Sequence, residues 1–154
     1  QKLFTNFKRS LTVQKKLLIL ATTAIVLLTS PFAMARPPQP SVCPTVSAIS
    51  AKGVSRNTIE IDQLWFAGHR NMPYSTGNNW TFVMGNIPAV NANDAYLKAT
   101  DNLITLFLQA GPFFDFEWNR WVCLYATGAG YPAVAMNPPL VTMDAKMKAF
   151  TTKY

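Results

Sequence analysis

The stretch WFAGHRNMPY, residues 65–74, carries the one histidine of the chain and sets His69, Arg70, Met72 and Tyr74 within six residues of one another. An imidazole, a thioether and a phenol are all ligands for haem iron, and a guanidinium pairs with carboxylates such as the haem propionates. These four residues form the candidate ligand-binding set. The competing reading of the segment is an exposed loop in which His69 follows Gly68 and meets only water.

Other chemistry finds less support. A zinc-type site needs three or four His, Cys, Asp or Glu ligands, and a single histidine beside scattered acids supplies no such set, so no metal ligand is assigned. The five serines after residue 35 include no G-x-S-x-G elbow, and no catalytic residue is assigned. TGAGY, residues 127–131, lacks the third glycine and following helix of a dinucleotide loop and reads as a turn. Two acidic pairs, Glu60/Asp62 and Asp115/Glu117, stand two residues apart. On strands that spacing puts each pair on one face, roughly 6 to 7 Å apart, which would suit a glycosidase acid and base or calcium ligands. Both pairs alternate with large apolar residues, so they read first as the wet side of a one-sided sheet.

What must position these residues begins after the first 35. Lys2, Lys8, Arg9, Lys15 and Lys16 precede an apolar or small run from Leu17 to Thr29, which ends in Ala33-Met34-Ala35. That order is the pattern of a secretory signal peptide with cleavage before Arg36, and the run is shorter than the roughly 20 residues of a bilayer-spanning helix. The expectation is an exported protein, periplasmic or secreted, with no stable membrane span once the signal is removed. Five of the 14 Lys and Arg lie in that segment and all seven acids lie beyond it, so the remaining chain carries only +2 of the +7 formal charge. Its basic residues are scattered, which argues against a nucleic-acid partner.

The expected organisation is a signal peptide over 1–35, a proline-rich arm over 36–44 and a single domain over 45–154, short enough to hold one core. Cys43 and Cys123, an even count in an exported chain, predict a disulfide. Closing a loop of this size stabilises a fold by roughly 4.5 kcal/mol on the chain-entropy account. The alternative is a free Cys43 thiolate acting as a ligand.

Along the domain, PTVSAISAKGV (44–54) predicts a short helix with Pro44 near its start and Gly53 at its end. NTIEIDQLWF (57–66) alternates as one strand, GHRNMPYSTGNN (68–79) reads as a loop, and NWTFVMG (79–85) as a second strand. NANDAYLKATDNLITLFLQAGP (91–112) predicts the main helix: Tyr96, Ala99, Leu103, Phe107 and Ala110 share one face, Asn91 or Asn93 caps it, and Gly111-Pro112 ends it. Residues 114–126 predict a long strand, and the prolines after Tyr131 argue against long regular structure, with 141–150 as a short terminal helix or strand. The fold class is α+β, a small antiparallel sheet with one main amphipathic helix packed on it.

The signal ending in AMA, the segment CPTVSAISAKGV, the aromatic strand NNWTFVMG, the central helix and the late WVCLYA strand with the second cysteine together resemble the small exported haemin-binding proteins of the Legionella type. The resemblance covers nearly all of the chain after residue 35 and implies haemin as partner and haem as cofactor. His69, Arg70, Met72 and Tyr74 are candidates from their own chemistry. The leading expectation is an exported, non-enzymatic protein that binds haemin or another flat apolar ligand. An envelope or secreted protein–protein interaction domain is the second, and a small secreted hydrolase the third.

Overall fold

The computed structural model describes residues 35–142 and Lys153. The expected signal peptide, apart from Ala35, and the predicted terminal element beyond Thr142 lie outside the described residues. Contacts divide the chain into Gln1–Ala35 and Arg36–Tyr154; the fold below is that of the second unit.

Helix α1, Val46–Lys52, begins where the Thr45 hydroxyl accepts the Ala48 N–H at 3.2 Å and ends at Gly53, whose φ of 70° lets its N–H close on the Ile49 carbonyl. Strands β1, Ile59–Ile61, and β2, Leu64–Met72, form a hairpin. The expected single strand over 57–66 is therefore corrected. Asp62 and Gln63 both take positive φ, 52° and 67°, as a two-residue loop of the I′ kind demands, and Asp-Gln lacks the glycine that usually announces one. The expected loop over 68–79 is also shorter, because Gly68 to Met72 belong to β2.

Strand β3 runs Trp80–Ile87, and α2, Ala92–Asn102, follows. Asn91 caps α2 by accepting the Asp94 N–H at 2.9 Å, and Asp94 pairs with Lys98 one turn on, also at 2.9 Å. The main helix stops ten residues before the expected end at Pro112. After a 3₁₀ turn over Leu103–Thr105, the chain becomes strand β4, Phe107–Asp115. Pairing with β5, Arg120–Ala126, outweighs the helical spacing of Phe107 and Ala110, which are exposed on the strand. Gly111-Pro112 lies inside β4, where an outermost strand tolerates a residue without an N–H. The expected long strand over 114–126 is likewise a hairpin, turned at residues 116–119.

Strand β6, Pro132–Asn137, completes one six-stranded antiparallel sheet in the order β1-β2-β3-β6-β5-β4. The prolines that argued against long regular structure here bound this central strand at six residues, with Pro132 at its first position and Pro138 just after its end. Cys43 and Cys123 form the disulfide, joining the arm to β5. The arm is fastened further by Trp121, which donates its indole N–H to the Pro37 carbonyl at 2.9 Å, and by Tyr125, which donates its hydroxyl to the Pro44 carbonyl at 2.6 Å.

Alternation along the strands builds two apolar layers. Trp80, Phe82, Met84, Cys123, Tyr125, Ala133 and Ala135 pack with Ile49 of α1 and Ala99 of α2 in the main core. Phe66, Val83, Val122, Val134 and Met136 are buried on the opposite face. The sheet is therefore covered on both sides, which corrects the expectation that the acidic pairs mark a wet face. Asp115 is buried at the end of β4, where it accepts the Glu117 and Trp118 N–H groups at 2.9 and 3.2 Å. It and Glu117, which lies in the turn, both pair with Lys153 at 2.9 Å. Glu60 and Asp62 fall on a strand and in its turn, both exposed.

Candidate functional site

The cleft at the histidine is built where β1 ends and β2 continues alone. Beyond the short β1, residues 55–59 run beside β2, joined to it by the Ser55 N–H on the Gly68 carbonyl at 3.0 Å. The inner edge of β2 is pressed against β3: a Cβ on Gly68 would lie 2.0 Å from the Phe82 carbonyl oxygen, so only glycine fits there. His69 follows at once, paired with Phe82, and an irregularity before Met72 includes Asn71 at φ 57°.

The opposing wall is the segment after β6, and side chains from three strands hold it. Arg120 donates to the Pro138 and Pro139 carbonyls, Thr81 accepts the Leu140 N–H at 2.9 Å, and Arg70 donates to the Val141 carbonyl at 2.6 Å. Between the walls lies an open cleft of about 870 Å³, lined by Ser55, Asn57, Ile59, Gly68 to Asn71 and Pro139 to Thr142. That volume falls in the range of small-molecule sites. The floor and rim offer an imidazole, a guanidinium, two carboxamides and two hydroxyls, and none of these lining residues is acidic.

His69 is half-buried, and its pKa is lowered below the ordinary 6.5, first by desolvation and then by the charge of Lys52 at the end of α1. It is therefore a neutral imidazole at pH 7, with a lone pair to offer. Among the described residues its ring makes no hydrogen bond. Ser55 shares the cleft, but its hydroxyl oxygen accepts the Asn57 N–H at 3.1 Å.

The four candidates separate. His69 and Arg70 line the cleft side by side. Met72 is half-buried against the main core and is not among the lining residues. Tyr74 is only 2 % exposed; burial raises its pKa, and its hydroxyl has no partner among the described residues. The cause is local. Pro73 to Thr76 form a turn with Tyr74 and Ser75 at φ 43° and 59°, and the Thr76 hydroxyl oxygen accepts the Trp80 indole N–H at 2.7 Å. That geometry turns the phenol inward.

Haem therefore fits this site in part: the residues present supply one neutral nitrogen ligand and one cation for a carboxylate, but no second axial ligand from Met72 or Tyr74 and no aromatic wall. Sequence reasoning missed the wall from Pro139 to Thr142 and the contribution of Lys52. Neither has a local signal, since both reach His69 only through the fold. No protein-family model, no curated protein and no solved structure matches the chain. Among the described residues no helix is long and apolar enough to cross a membrane.

Proposed function

We propose that the protein is an exported, non-enzymatic binding domain whose cleft takes a flat, carboxylate-bearing ligand of the haemin class. The observation that carries the reading is the pairing of a neutral His69 with Arg70 in a cleft whose lining residues include no acid. An anionic ligand meets no like charge there, while Arg70 and the nearby Lys52 supply positive potential. His69 would hold the haem iron and Arg70 a propionate; the bound group would supply the iron centre and the spectral signature. Ile59, Pro139, Leu140 and Val141 give the cleft apolar surface for the body of such a ligand. The resemblance to exported haemin-binding proteins supports the same reading, and the disulfide is compatible with an oxidising compartment.

The test is a haemin titration of the exported, oxidised protein followed at the Soret band, with His69→Ala and Arg70→Ala alongside. A saturable one-to-one shift is expected. His69→Ala should abolish it, and Arg70→Ala should weaken it about tenfold, the loss of one charge-assisted contact. Unsaturable spectra identical in all three proteins would overturn the reading.

A second reading, a protein–protein interaction domain, is favoured by one observation. The outermost strand β4 exposes Phe107 and Leu108 at 50 % and 47 %, and no charged residue occurs from Asn102 to Phe114. Such an edge is a template for another chain.

A further inference from the structure

Toward the opposite edge of the sheet, Phe114 of β4, Phe116 of the following turn and Trp121 of β5 surround a single cation, the guanidinium of Arg36. Its central carbon lies 4.3 Å from the Phe114 ring centre, 4.1 Å from that of Trp121 and 6.0 Å from that of Phe116. The rings meet edge to face, with centres 5.0 Å apart for Phe114 and Phe116 and 5.2 Å for Phe114 and Trp121. These separations are within the reach of a cation–π attraction.

Two features set this apart from an ordinary arginine contact. Arg36 makes no side-chain hydrogen bond and no ion pair among the described residues, although guanidinium groups are built for both. The acids that alternate with the cage rings, Asp115 and Glu117, are engaged by Lys153. Phe116, in turn, is 81 % exposed, a large apolar side chain left at the open side of the cage. The cage thus holds its cation by ring faces alone, which selects for charge and polarisable surface rather than for N–H donors. A quaternary ammonium group has that chemistry, because it offers a diffuse positive charge and no donor that needs an acceptor.

We propose that Phe114, Phe116 and Trp121 form a binding site for a quaternary ammonium group, and that Arg36 is its tethered internal occupant. The arm from Arg36 to Cys43 is extended and carries no regular structure, so Arg36 can leave while Pro37 stays on the Trp121 indole and Cys43 stays bonded to Cys123. A short tether gives the internal group an effective concentration on the order of millimolar. An external cation must compete against that.

The test uses the exported, disulfide-bonded protein and its Arg36→Ala variant, titrated with choline chloride against sodium chloride at equal ionic strength. The Trp121 indole N–H resonance is the reporter. Arg36→Ala should give a saturable shift with a midpoint at least about tenfold below that of the unaltered protein. Adding Phe116→Ala, which removes an exposed ring and leaves the core intact, should raise that midpoint again. No saturable shift in Arg36→Ala, equal midpoints with and without Arg36, or indifference to Phe116→Ala would each overturn the proposal.

Sedimentation of the Arg36→Ala protein with phosphatidylcholine or phosphatidylglycerol vesicles distinguishes the source. Binding to the first alone assigns a lipid headgroup, and choline saturation without vesicle binding assigns a free quaternary ammonium compound. None of the cage residues lines the cleft at His69, and the choline titration contains no haemin, so its result is read separately from haemin binding.

Discussion

Tyr125 and Tyr74 both bury their hydroxyls in the main core, yet among the described residues only Tyr125 has a partner, the Pro44 carbonyl oxygen at 2.6 Å across 81 residues of sequence. The two phenols should therefore respond oppositely to loss of the hydroxyl. Tyr125→Phe leaves a buried carbonyl unsatisfied and is expected to cost about 1 to 2 kcal/mol. Tyr74→Phe removes a hydroxyl without a partner among the described residues and should be neutral or stabilising by up to about 1 kcal/mol. Urea denaturation of the two variants checks the sign. Equal destabilisation by both would refute the difference in their surroundings.

Gly68 and Gly77 offer a second contrast, between space and backbone angle. A Cβ on Gly68 meets the Phe82 carbonyl oxygen at 2.0 Å and the Val83 Cα at 2.9 Å, both backbone atoms that cannot move without opening the β2–β3 pair. Gly68→Ala is expected to cost about 3 kcal/mol or more, as overpacking against a fixed neighbour does. Gly77 has open space around it and φ of 75°, so Gly77→Ala should cost only about 1 kcal/mol, the strain of a left-handed alanine. Thermal or urea unfolding separates the two. Because Gly68 sets the wall beside His69, its variant should also lose ligand affinity in proportion to the fraction unfolded.

Reducing the Cys43–Cys123 bond opens a connection 80 residues long in sequence and is expected to lower stability by about 2 to 5 kcal/mol. The arm should not detach at once, because Trp121 and Tyr125 still hold the Pro37 and Pro44 carbonyls. Cys43→Ala/Cys123→Ala, compared with the oxidised protein by urea denaturation, tests the magnitude. Limited proteolysis of residues 36–44 tests the order, with cleavage following global unfolding rather than preceding it.

The pattern of the sequence carried the architecture further than its boundaries. The disulfide, the antiparallel sheet and an asparagine cap, Asn91 of the two candidates Asn91 and Asn93, were legible, since each rests on local chemistry, strand patterning or an even cysteine count. The Asp62-Gln63 turn was not, because neither residue signals positive φ. Residues 103–112 read as the continuation of the helix on an apolar period of three or four, whereas the chain makes a 3₁₀ turn over Leu103–Thr105 and hydrogen bonding to β5 then draws Phe107 onward into strand β4. After Tyr131 the prolines did limit regular structure to a six-residue strand, which Pro132 opens at a position where a missing N–H does no harm. At the candidate site, His69 and Arg70 stood out by type. Their exclusion of Met72 and Tyr74 follows from a register irregularity and an inward turn, and the opposing wall comes from 70 residues away, where no spacing rule reaches.

His69 also couples the fold to pH. Its folded-state pKa lies below the ordinary 6.5, because burial and Lys52 both oppose the imidazolium. Between the folded and unfolded values the unfolded chain binds more protons, so stability rises with pH through that window. The contribution is fully present above about 6.5 and is lost as pH falls through the folded value. Stability measured by urea denaturation from pH 7.5 to 4.5 should decline below 6.5, and His69→Gln should flatten that part of the curve. Lys52→Gln removes the second cause and should narrow the window from its lower end. Haemin affinity should follow the same titration, since a proton and an iron centre compete for one lone pair; a pH-independent affinity that still requires His69 would show that the imidazole acts in some other way than by ligation.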